Sequence, residues 1–373
     1  MFNPISLRSG RVDLLRGIAI LTVLLLHFSL TYRLTGEPLS GVVPVAWLRA
    51  VVTNGNYGVT MFFVISGFLI TSNNLKRFGA LAAVRPRQFY AYRFARIIPP
   101  LLLALAVIVP LGLLHAPSFD NLMHGEPMAP SYFWIAALSV LTFWHNVLME
   151  VAGYFNYCLN IYWSLSVEEV FYLCFPPACL LLKRRHLIAA LCIAAMVVAP
   201  WYRHRHADDE LYFMYGYAAC FDAIAFGCLT AMLYSRVDLR GRAGGAIRCA
   251  AGLGLAVTYL AGIDGHEVFG FTLIALFTAV LLFNAFDAAP RRRPAPFRLI
   301  AWFGQHSYEL YLFHIIVLGA IRDLIPKESL PNAYKLPLLM VFLALSALVA
   351  FCIARGFADP LNGYLRRRLS PKA

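Results

Sequence analysis

Charged residues are scarce in this 373-residue sequence, and their scarcity excludes an ordinary soluble protein. Only 14% of the residues are Asp, Glu, Lys or Arg, whereas 60% are hydrophobic and the mean hydropathy is +0.67. A soluble chain of this length needs many more charges to cover its surface. The composition therefore predicts a protein that is embedded in a lipid bilayer.

Acidic residues are particularly few, since the sequence has 19 Asp and Glu but 32 Lys and Arg. An excess of positive charge can indicate nucleic-acid binding, but here the basic residues fall in short segments between long apolar runs. That arrangement is typical of the loops that set the orientation of a membrane protein. We therefore expect membrane lipid as a partner and no nucleic acid.

Paired cysteines, flexible linkers and internal repeats are also missing. The eight cysteines form no Cys-x-x-Cys pair, and nearly all of them lie in or beside apolar runs, as small hydrophobic residues do. We expect neither disulfides nor a metal site, including at the mixed-charge HRHADDE segment. Without a linker, residues 1–373 are expected to form a single transmembrane domain with no appended soluble domain.

Long apolar runs make up most of what is present. A helix of about 20 apolar residues spans the roughly 30 Å hydrocarbon core of a bilayer. Runs near that length predict an all-α integral membrane protein with about ten transmembrane helices. The ten candidate spans are 14–33, 56–75, 95–114, 162–182, 187–202, 212–234, 247–263, 268–287, 308–325 and 336–357. The first run lacks a convincing cleavage site, so we expect it to be retained.

The distribution of Lys and Arg predicts the orientation of these spans. One further apolar segment, 132–148, is treated as non-crossing, because its crossing would move the basic segments after it to the outer side. The basic segments then assigned to the cytoplasm are 8–16, 76–96, 183–185, 236–248, 291–298 and 355–372. Both termini are therefore expected to be cytoplasmic, with 132–148 as an interfacial or re-entrant helix on the outer side.

The first span carries two polar residues that a bilayer disfavours. Arg16 and His27 share a helix face, because eleven residues make about three turns, and they are about 16 Å apart along the axis. His27 then lies near mid-membrane, where an ionisable residue is a functional candidate by default. Burial keeps an imidazole uncharged, as a general base requires. The structural alternative is a histidine that only bonds a neighbouring helix.

Two other residues are candidates to support His27. Ser66 of the second span lies at a similar depth, where its hydroxyl could orient the imidazole. Asp13 lies one turn before Arg16 and can pair with it. The glycines that flank Ser66 in the second span predict close packing between helices.

A pair of arginines at the start of the third span predicts an anion site. Arg93 and Arg96 are one turn apart, where the free backbone N–H groups of a first helical turn add to the attraction. Two guanidiniums in this arrangement can clamp phosphates. The alternative is that they act only as a topology signal.

Carboxylates and a second histidine inside later spans need partners within the membrane. Glu168 and Glu169 are adjacent and face different directions, so at most one of them points into a given cavity. Asp222 and His314 are further candidates, and for both we weigh structural pairing ahead of catalysis.

Five segments, taken in order over nearly the whole chain, resemble the acyltransferase 3 family of membrane proteins. They read DLLRGIAILTVLLLHF, GVTMFFVISGFLIT, YRFARIIPP, YWSLSVEEVFYL and SYELYLFHIIV. Members of that family move acyl groups, often acetyl, from a cytoplasmic coenzyme A thioester to hydroxyls of sugars and other acceptors. The bacterial inner membrane is the usual location.

The resemblance also implies roles for individual residues. Arg16 and His27 correspond to the family's Arg-x10-His motif. Arg93 and Arg96 correspond to its Arg-x-x-Arg motif. Glu168 corresponds to the acidic residue of its Ser-Val-Glu motif.

The combined interpretation is a membrane O-acyltransferase with acyl-CoA as donor, acetyl as the expected acyl group, and a carbohydrate or glycolipid as acceptor. His27 is its general base, Glu168 holds the acceptor or stabilises the imidazolium, and Arg16 with Asp13 shapes the donor entrance. No metal is expected. The alternatives are a secondary transporter or flippase of a glycan or small solute, which would use the same polar residues, and an inactive scaffold.

Overall fold

The computed structural model describes residues 9–34, 44–123, 126–286 and 294–369, and nearly all of the regular structure in these ranges is helical. The helices are α1 Gly10–Tyr32, α2 Val45–Thr53, α3 Asn56–Phe78, α4 Pro86–Leu113, α5 Ser131–Leu141, α6 His145–Ala152, α7 Trp163–Leu182, α8 Arg185–Arg205, α9 Glu210–Tyr215, α10 Tyr217–Leu233, α11 Gly241–Ala261, α12 Gly270–Leu282, α13 Ala295–Gln305, α14 Ser307–Leu324, α15 Lys335–Ile353 and α16 Asp359–Leu369. One small hairpin pairs β1 Leu122–Met123 with β2 Glu126–Pro127. The predicted cytoplasmic basic residues at positions 8, 291–293 and 372 lie outside the described ranges.

Eight helical segments in the described ranges are long and apolar enough to cross a membrane. Each coincides with one of the ten predicted spans. The other two spans are also helical, as the short α12 and as α14, which carries three charged residues near its ends. The prediction of an all-α integral membrane protein is therefore confirmed, while the sidedness stays a prediction.

Two predicted segments differ in detail from the structure. The span predicted at 268–287 stops as a helix at Leu282, because Phe283 is extended (ψ 136°) and Asn284 is left-handed (φ 56°). The span predicted at 212–234 is divided at Gly216, which has an extended ψ of 141° between α9 and α10. Both differences arise at one or two backbone positions that hydropathy does not detect.

The ambiguous segment 132–148 forms the two short helices α5 and α6, separated by a turn in which Phe143 has a φ of 64°. At 1.5 Å per residue, neither helix is long enough to cross a bilayer. The structure therefore agrees with the prediction that this segment does not cross.

The centre of the bundle is built by α1, α3, α10 and α14, and glycines bring two of these helices together. A Cβ on Gly67 of α3 would overlap the Ile224 carbonyl oxygen, and one on Gly227 of α10 would overlap that of Val64. Small residues allow this close approach without a hydrophobic driving force between the helices. At the periphery, only 11% of the apolar window of α11 is buried, against 72% for α3, so α11 presents its side chains to lipid.

Candidate active site

His27 lies in the middle of α1 and meets a second histidine from α14. His314 Nε2 lies 3.2 Å from His27 Nδ1, and the two ring centroids are 5.0 Å apart. His27 Nδ1 is also 2.9 Å from the carbonyl oxygen of Val23, one turn earlier in the same helix. The sequence singled out both histidines separately, but it did not reveal that they form a pair.

The hydrogen-bond partners assign the protons on both neutral rings. His314 Nδ1 lies 2.9 Å from the carbonyl oxygens of Leu310 and Tyr311, which can only accept, so this nitrogen carries the hydrogen. His314 Nε2 is then an acceptor, and His27 Nδ1 donates to it and to Val23. In the described parts of the chain, His27 Nε2 has no hydrogen-bond partner, so its lone pair is available to a substrate.

His27 forms part of the wall of a cavity of about 810 Å³, here called the outer cavity, which lies toward the C-terminal end of α1. This volume is within the range of small-molecule binding sites. One turn from His27, the Thr31 hydroxyl lies 2.6 Å from that of Tyr157, and the Arg322 guanidinium lies 4.8 Å from the Tyr157 ring centroid. Burial raises the pKa of the Tyr157 phenol, so it remains a hydrogen-bonding hydroxyl at neutral pH.

The far walls of the outer cavity are aromatic and acidic. The Tyr154 hydroxyl donates to that of Tyr215 at 2.9 Å, and the Trp163 ring centroid lies 4.6 Å from that of Tyr215. Four carboxylates, three from loops and one from the start of α9, also line the cavity: Asp208, Glu210, Asp264 and Glu267. Flat apolar faces beside hydroxyls and carboxylates suit a ligand that has both apolar faces and many hydroxyls.

A second cavity of about 170 Å³, here called the inner cavity, lies toward the N-terminal end of α1. It gathers most of the residues that the sequence singled out in separate motifs: Arg16, Ser66, Arg93, Arg96 and Glu168. These residues come from four helices, α1, α3, α4 and α7. The structure thus brings the two arginine motifs and the acidic motif to one place.

Inside the inner cavity, Tyr172 links three of these motif residues. Its hydroxyl donates to the Glu168 carboxylate, so the Ser66 hydroxyl, 2.5 Å away, donates to the Tyr172 oxygen. The Arg93 guanidinium lies 4.9 Å from the Tyr172 ring centroid, a cation–π distance. Ser66 was a candidate to orient the imidazole of His27, but the structure places its hydroxyl against Tyr172. Tyr172 itself gave no signal beyond its position one turn after Glu168.

Arg16 and Asp13 are held by α13 and α14 at the entrance to the inner cavity. Arg16 Nε donates to the Ser307 hydroxyl at 3.0 Å, and Asp13 Oδ2 accepts from the Gln305 side chain at 3.2 Å. The Arg16 charge is also close enough to those of Arg96 and Glu168 to interact with both. Arg16 therefore connects α1 to the other charged groups of the inner cavity.

The two cavities are separated by a thin layer of side chains. Val59 and Tyr311 line both cavities. The Tyr311 hydroxyl donates to the carbonyl oxygen of Ile161 at 2.8 Å and lies 2.6 Å from the Ser164 hydroxyl, which donates to it. Its ring centroid is 6.0 Å from that of His314. The layer of Val59 and Tyr311, here called the partition, thus lies beside the histidine pair.

Asp222 belongs to neither cavity and forms a buried ion pair. Its Oδ2 accepts from Arg203 Nη2 at 2.7 Å and from the Thr272 hydroxyl at 2.8 Å. Arg203 lies in the last turn of α8, and its side chain is fully buried. Asp222 therefore takes part in a structural pairing, which was weighed ahead of catalysis for this residue. His314, in contrast, contacts His27. In the described ranges, no group of three or more His, Cys, Asp and Glu could hold a metal ion.

Sequence comparison finds relatives along most of the chain. A family model described as an acyltransferase domain matches residues 10–355. The chain is 24% identical over 360 residues to the O-acetyltransferase OatA of Staphylococcus aureus (strain NCTC 8325 / PS 47). The matched region covers 89% of this chain and 54% of that protein. It is also 24% identical over 345 residues to the peptidoglycan O-acetyltransferase OatA of Listeria monocytogenes serovar 1/2a, covering 87% and 51% respectively. The chain spans about half the length of these curated relatives. No solved structure matches it.

Proposed function

Because this chain belongs to the acyltransferase 3 family, we propose that it is a membrane O-acetyltransferase with a donor site and an acceptor site on opposite sides of the partition. Acetyl-CoA is the proposed donor, and a hydroxyl of a carbohydrate or glycolipid is the proposed acceptor. The observation that carries the proposal is the division of the polar residues between the two cavities. The arginines line the inner cavity, and His27 lines the outer one.

Charge supports binding of the donor on the inner side. Coenzyme A is a polyanion, and Arg16, Arg93 and Arg96 supply three guanidiniums that can bind phosphate oxygens through paired hydrogen bonds. Arg16 and His27 are about 16 Å apart along α1. A donor held by its phosphates near Arg93 therefore needs its flexible arm to carry the thioester toward the partition.

The pair of histidines supports base catalysis by His27 Nε2. In the proposed reaction this atom takes the proton of the acceptor hydroxyl while the oxygen attacks the thioester carbonyl carbon. The tetrahedral adduct then collapses, the carbon–sulfur bond breaks, and His27 returns the proton to the leaving sulfur to give free coenzyme A. His314 accepts from His27 Nδ1–H throughout and stabilises the transient imidazolium. General-base assistance of this kind is worth about 10²–10⁴ in rate.

Glu168 takes a different role in this proposal from the one that its motif suggested. Its carboxylate lies in the inner cavity and accepts from Tyr172, so it supports the arginine side of the site. We therefore assign Glu168 to donor positioning, while the acceptor meets the aromatic and acidic walls of the outer cavity.

The relatives suggest which acceptor and which membrane to test first. The Listeria relative is named for peptidoglycan, so a sugar hydroxyl of a cell-wall glycan is the first proposed acceptor. Both relatives are bacterial, and the basic loops fit a cytoplasmic face, which supports the bacterial inner membrane as the location.

The test uses the full chain in lipid nanodiscs with labelled acetyl-CoA and a panel of saccharides. We expect free thiol and labelled acceptor to form together, and only when an acceptor is present. His27→Ala should abolish both products while the protein still elutes as a folded species. If a saccharide instead crosses vesicle membranes without thiol release, the protein is a transporter or flippase and the enzymatic proposal is wrong.

A further inference from the structure

Four arginines from three helices converge at the mouth of the inner cavity. Arg77 lies in the last turn of α3, Arg93 and Arg96 lie two to three turns inside α4, and Arg366 belongs to α16. The expectation that free N–H groups of a first helical turn lie beside Arg93 and Arg96 is wrong, because α4 already begins at Pro86. Helix α16 packs against α4, which brings Arg366 to this mouth. These four residues are here called the arginine cluster. Only Arg93 and Arg96 were expected to bind an anion.

An aromatic ring joins two members of the arginine cluster. The Arg77 guanidinium lies 4.3 Å from the ring centroid of Tyr92, and that of Arg366 lies 5.1 Å from the same centroid. Cation–π contacts restrict flexible side chains without using up their N–H donors. Tyr92 therefore holds two guanidiniums beside each other with their hydrogen-bonding edges available.

The arginine cluster forms no direct ion pair in the described ranges; Glu309 interacts with Arg96, and Glu169 with Arg93, only at longer range. The Nε of Arg366 is buried and has no hydrogen-bond partner in the described part of the chain. Its charge is also repelled by those of Arg96, Arg93 and Arg77. Like charges gathered in this way, with a buried N–H left unpaired, favour a bound anion.

The size of the inner cavity indicates which part of the donor would contact the arginine cluster. A volume of about 170 Å³ is below the roughly 300–1,000 Å³ of sites that enclose a drug-sized ligand. An acyl-CoA therefore fits there only with its acyl group and part of its arm. Its nucleotide end, which carries the diphosphate and the 3′-phosphate, must then lie at the mouth of the cavity, where the arginine cluster is.

We infer that the arginine cluster binds the 3′-phosphorylated adenosine diphosphate end of the acyl donor, with Arg366 and Arg77 as phosphate-binding residues. The inference rests on the proposed function, because it identifies the donor by its nucleotide. It adds a contribution from α16, since the match to the family model ends at residue 355, before Arg366. The C-terminal helix thus completes a site that α3 and α4 begin.

The experiment compares variants of the full chain in nanodiscs of zwitterionic lipid. Calorimetry measures the Kd of adenosine 3′,5′-bisphosphate with no acceptor present. Kinetics compare acetyl-CoA with acetyl-4′-phosphopantetheine, which lacks the nucleotide. R366Q and R77Q remove one guanidinium each, and R366K keeps the charge without the planar fork. R368Q is the matched control, because Arg368 lies on the same helix and contacts Tyr364 instead.

We expect R366Q to raise the bisphosphate Kd and the acetyl-CoA KM about tenfold, as loss of a charge-assisted hydrogen bond does. R366K should fall between R366Q and the unmodified chain. The KM for acetyl-4′-phosphopantetheine should change less than twofold, and R368Q should change neither donor. All variants are compared after their thermal unfolding midpoints are shown to match.

The inference is overturned if R366Q behaves like R368Q, or if R366Q impairs both donors equally. It is also overturned if R366Q changes only the response to added phosphatidylglycerol, because the cluster then binds a lipid headgroup. Failure of the proposed function has a different signature. In that case the bisphosphate still binds in an Arg366-dependent manner, but no saccharide is acetylated.

Discussion

The inner and outer cavities differ in size and in charge. The inner cavity is about 170 Å³ and is lined by three arginines and one carboxylate. The outer cavity is about 810 Å³ and is lined by aromatic rings, four carboxylates and two basic side chains. A single substrate does not suit both environments. The difference supports the proposal of two substrates of different chemistry, one on each side of the partition.

The catalytic groups are distributed according to the same division. The inner cavity has Arg16, Arg93 and Arg96, which are proposed to bind phosphate, but not His27, and the outer cavity has His27 but no cluster of arginines. Because Val59 and Tyr311 border both cavities, the proposed thioester and acceptor hydroxyl would meet where these two side chains lie. The account therefore depends on chemistry at the partition.

The largest expected effect on activity comes from the base on the outer side. His27→Ala should lower kcat by about 10²–10⁴, because the acceptor hydroxyl loses its proton acceptor. Thiol release measures the rate, and acetyl-CoA binding should persist, since the arginines are unchanged. His204→Ala is the control, because this exposed histidine lines neither cavity. A variant that keeps near-normal kcat would contradict the assignment of His27.

The next substitution, at Asp222, distinguishes polar residues that stabilise the fold from those that take part in catalysis. Asp222→Asn leaves the buried Arg203 charge uncompensated, so the free energy of unfolding should fall by about 3–5 kcal/mol. Denaturant titration in detergent measures this loss. Asp238→Asn is the control, because the Arg240–Asp238 pair is exposed and worth about 0–1 kcal/mol. The folded fraction of Asp222→Asn should retain its kcat, and a selective loss of kcat would place Asp222 in the chemistry.

A change on the inner side should act on donor binding alone. Arg96→Gln removes a phosphate-binding guanidinium and should raise the KM for acetyl-CoA about 10- to 100-fold. The kcat and the KM for the acceptor should change less than threefold. Arg87→Gln provides the control, since Arg87 is exposed on the same helix and does not line the inner cavity. An equal effect on the acceptor KM would show that the two substrates share one site.

The smallest expected effect comes from the residue that positions the base. His314→Leu removes the acceptor for His27 Nδ1–H, so kcat should fall about tenfold with both KM values unchanged. His314→Gln should restore most of the rate, because its amide oxygen can accept the same hydrogen bond. If His314→Leu and His314→Gln lower kcat equally, His314 contributes packing and not a hydrogen bond to His27.

Much of this architecture could be predicted from the sequence, because the features that predict it each lie within a single helix. Apolar length identified the spans, and the cost of polar groups in lipid identified Arg16, His27 and the Glu168–Glu169 pair, from which the family resemblance selected Glu168. The spacing of Arg93 and Arg96 on one turn also predicted their common placement. Each of these features is local to one helix, so no knowledge of neighbouring helices was needed.

The pairings between helices could not be obtained in this way. Hydropathy does not state which helices face each other, so the contact between His27 and His314 and that between Asp222 and Arg203 emerged only from the fold. Ser66 illustrates the same limit, because its depth matched that of His27 while its helix face turned it toward Tyr172. The depth of a residue in the membrane follows from its position along a span. Its contact partners depend on the rotation of its helix and on how the helices pack.

The most direct test of the account places the two substrates on opposite sides of a membrane. Proteoliposomes are loaded with labelled acetyl-CoA, and a membrane-impermeant saccharide acceptor is added outside. The account predicts acetylated saccharide outside and free coenzyme A thiol inside, with neither product from His27→Ala. Acetylation that occurs only when donor and acceptor share one compartment would contradict transfer across the partition.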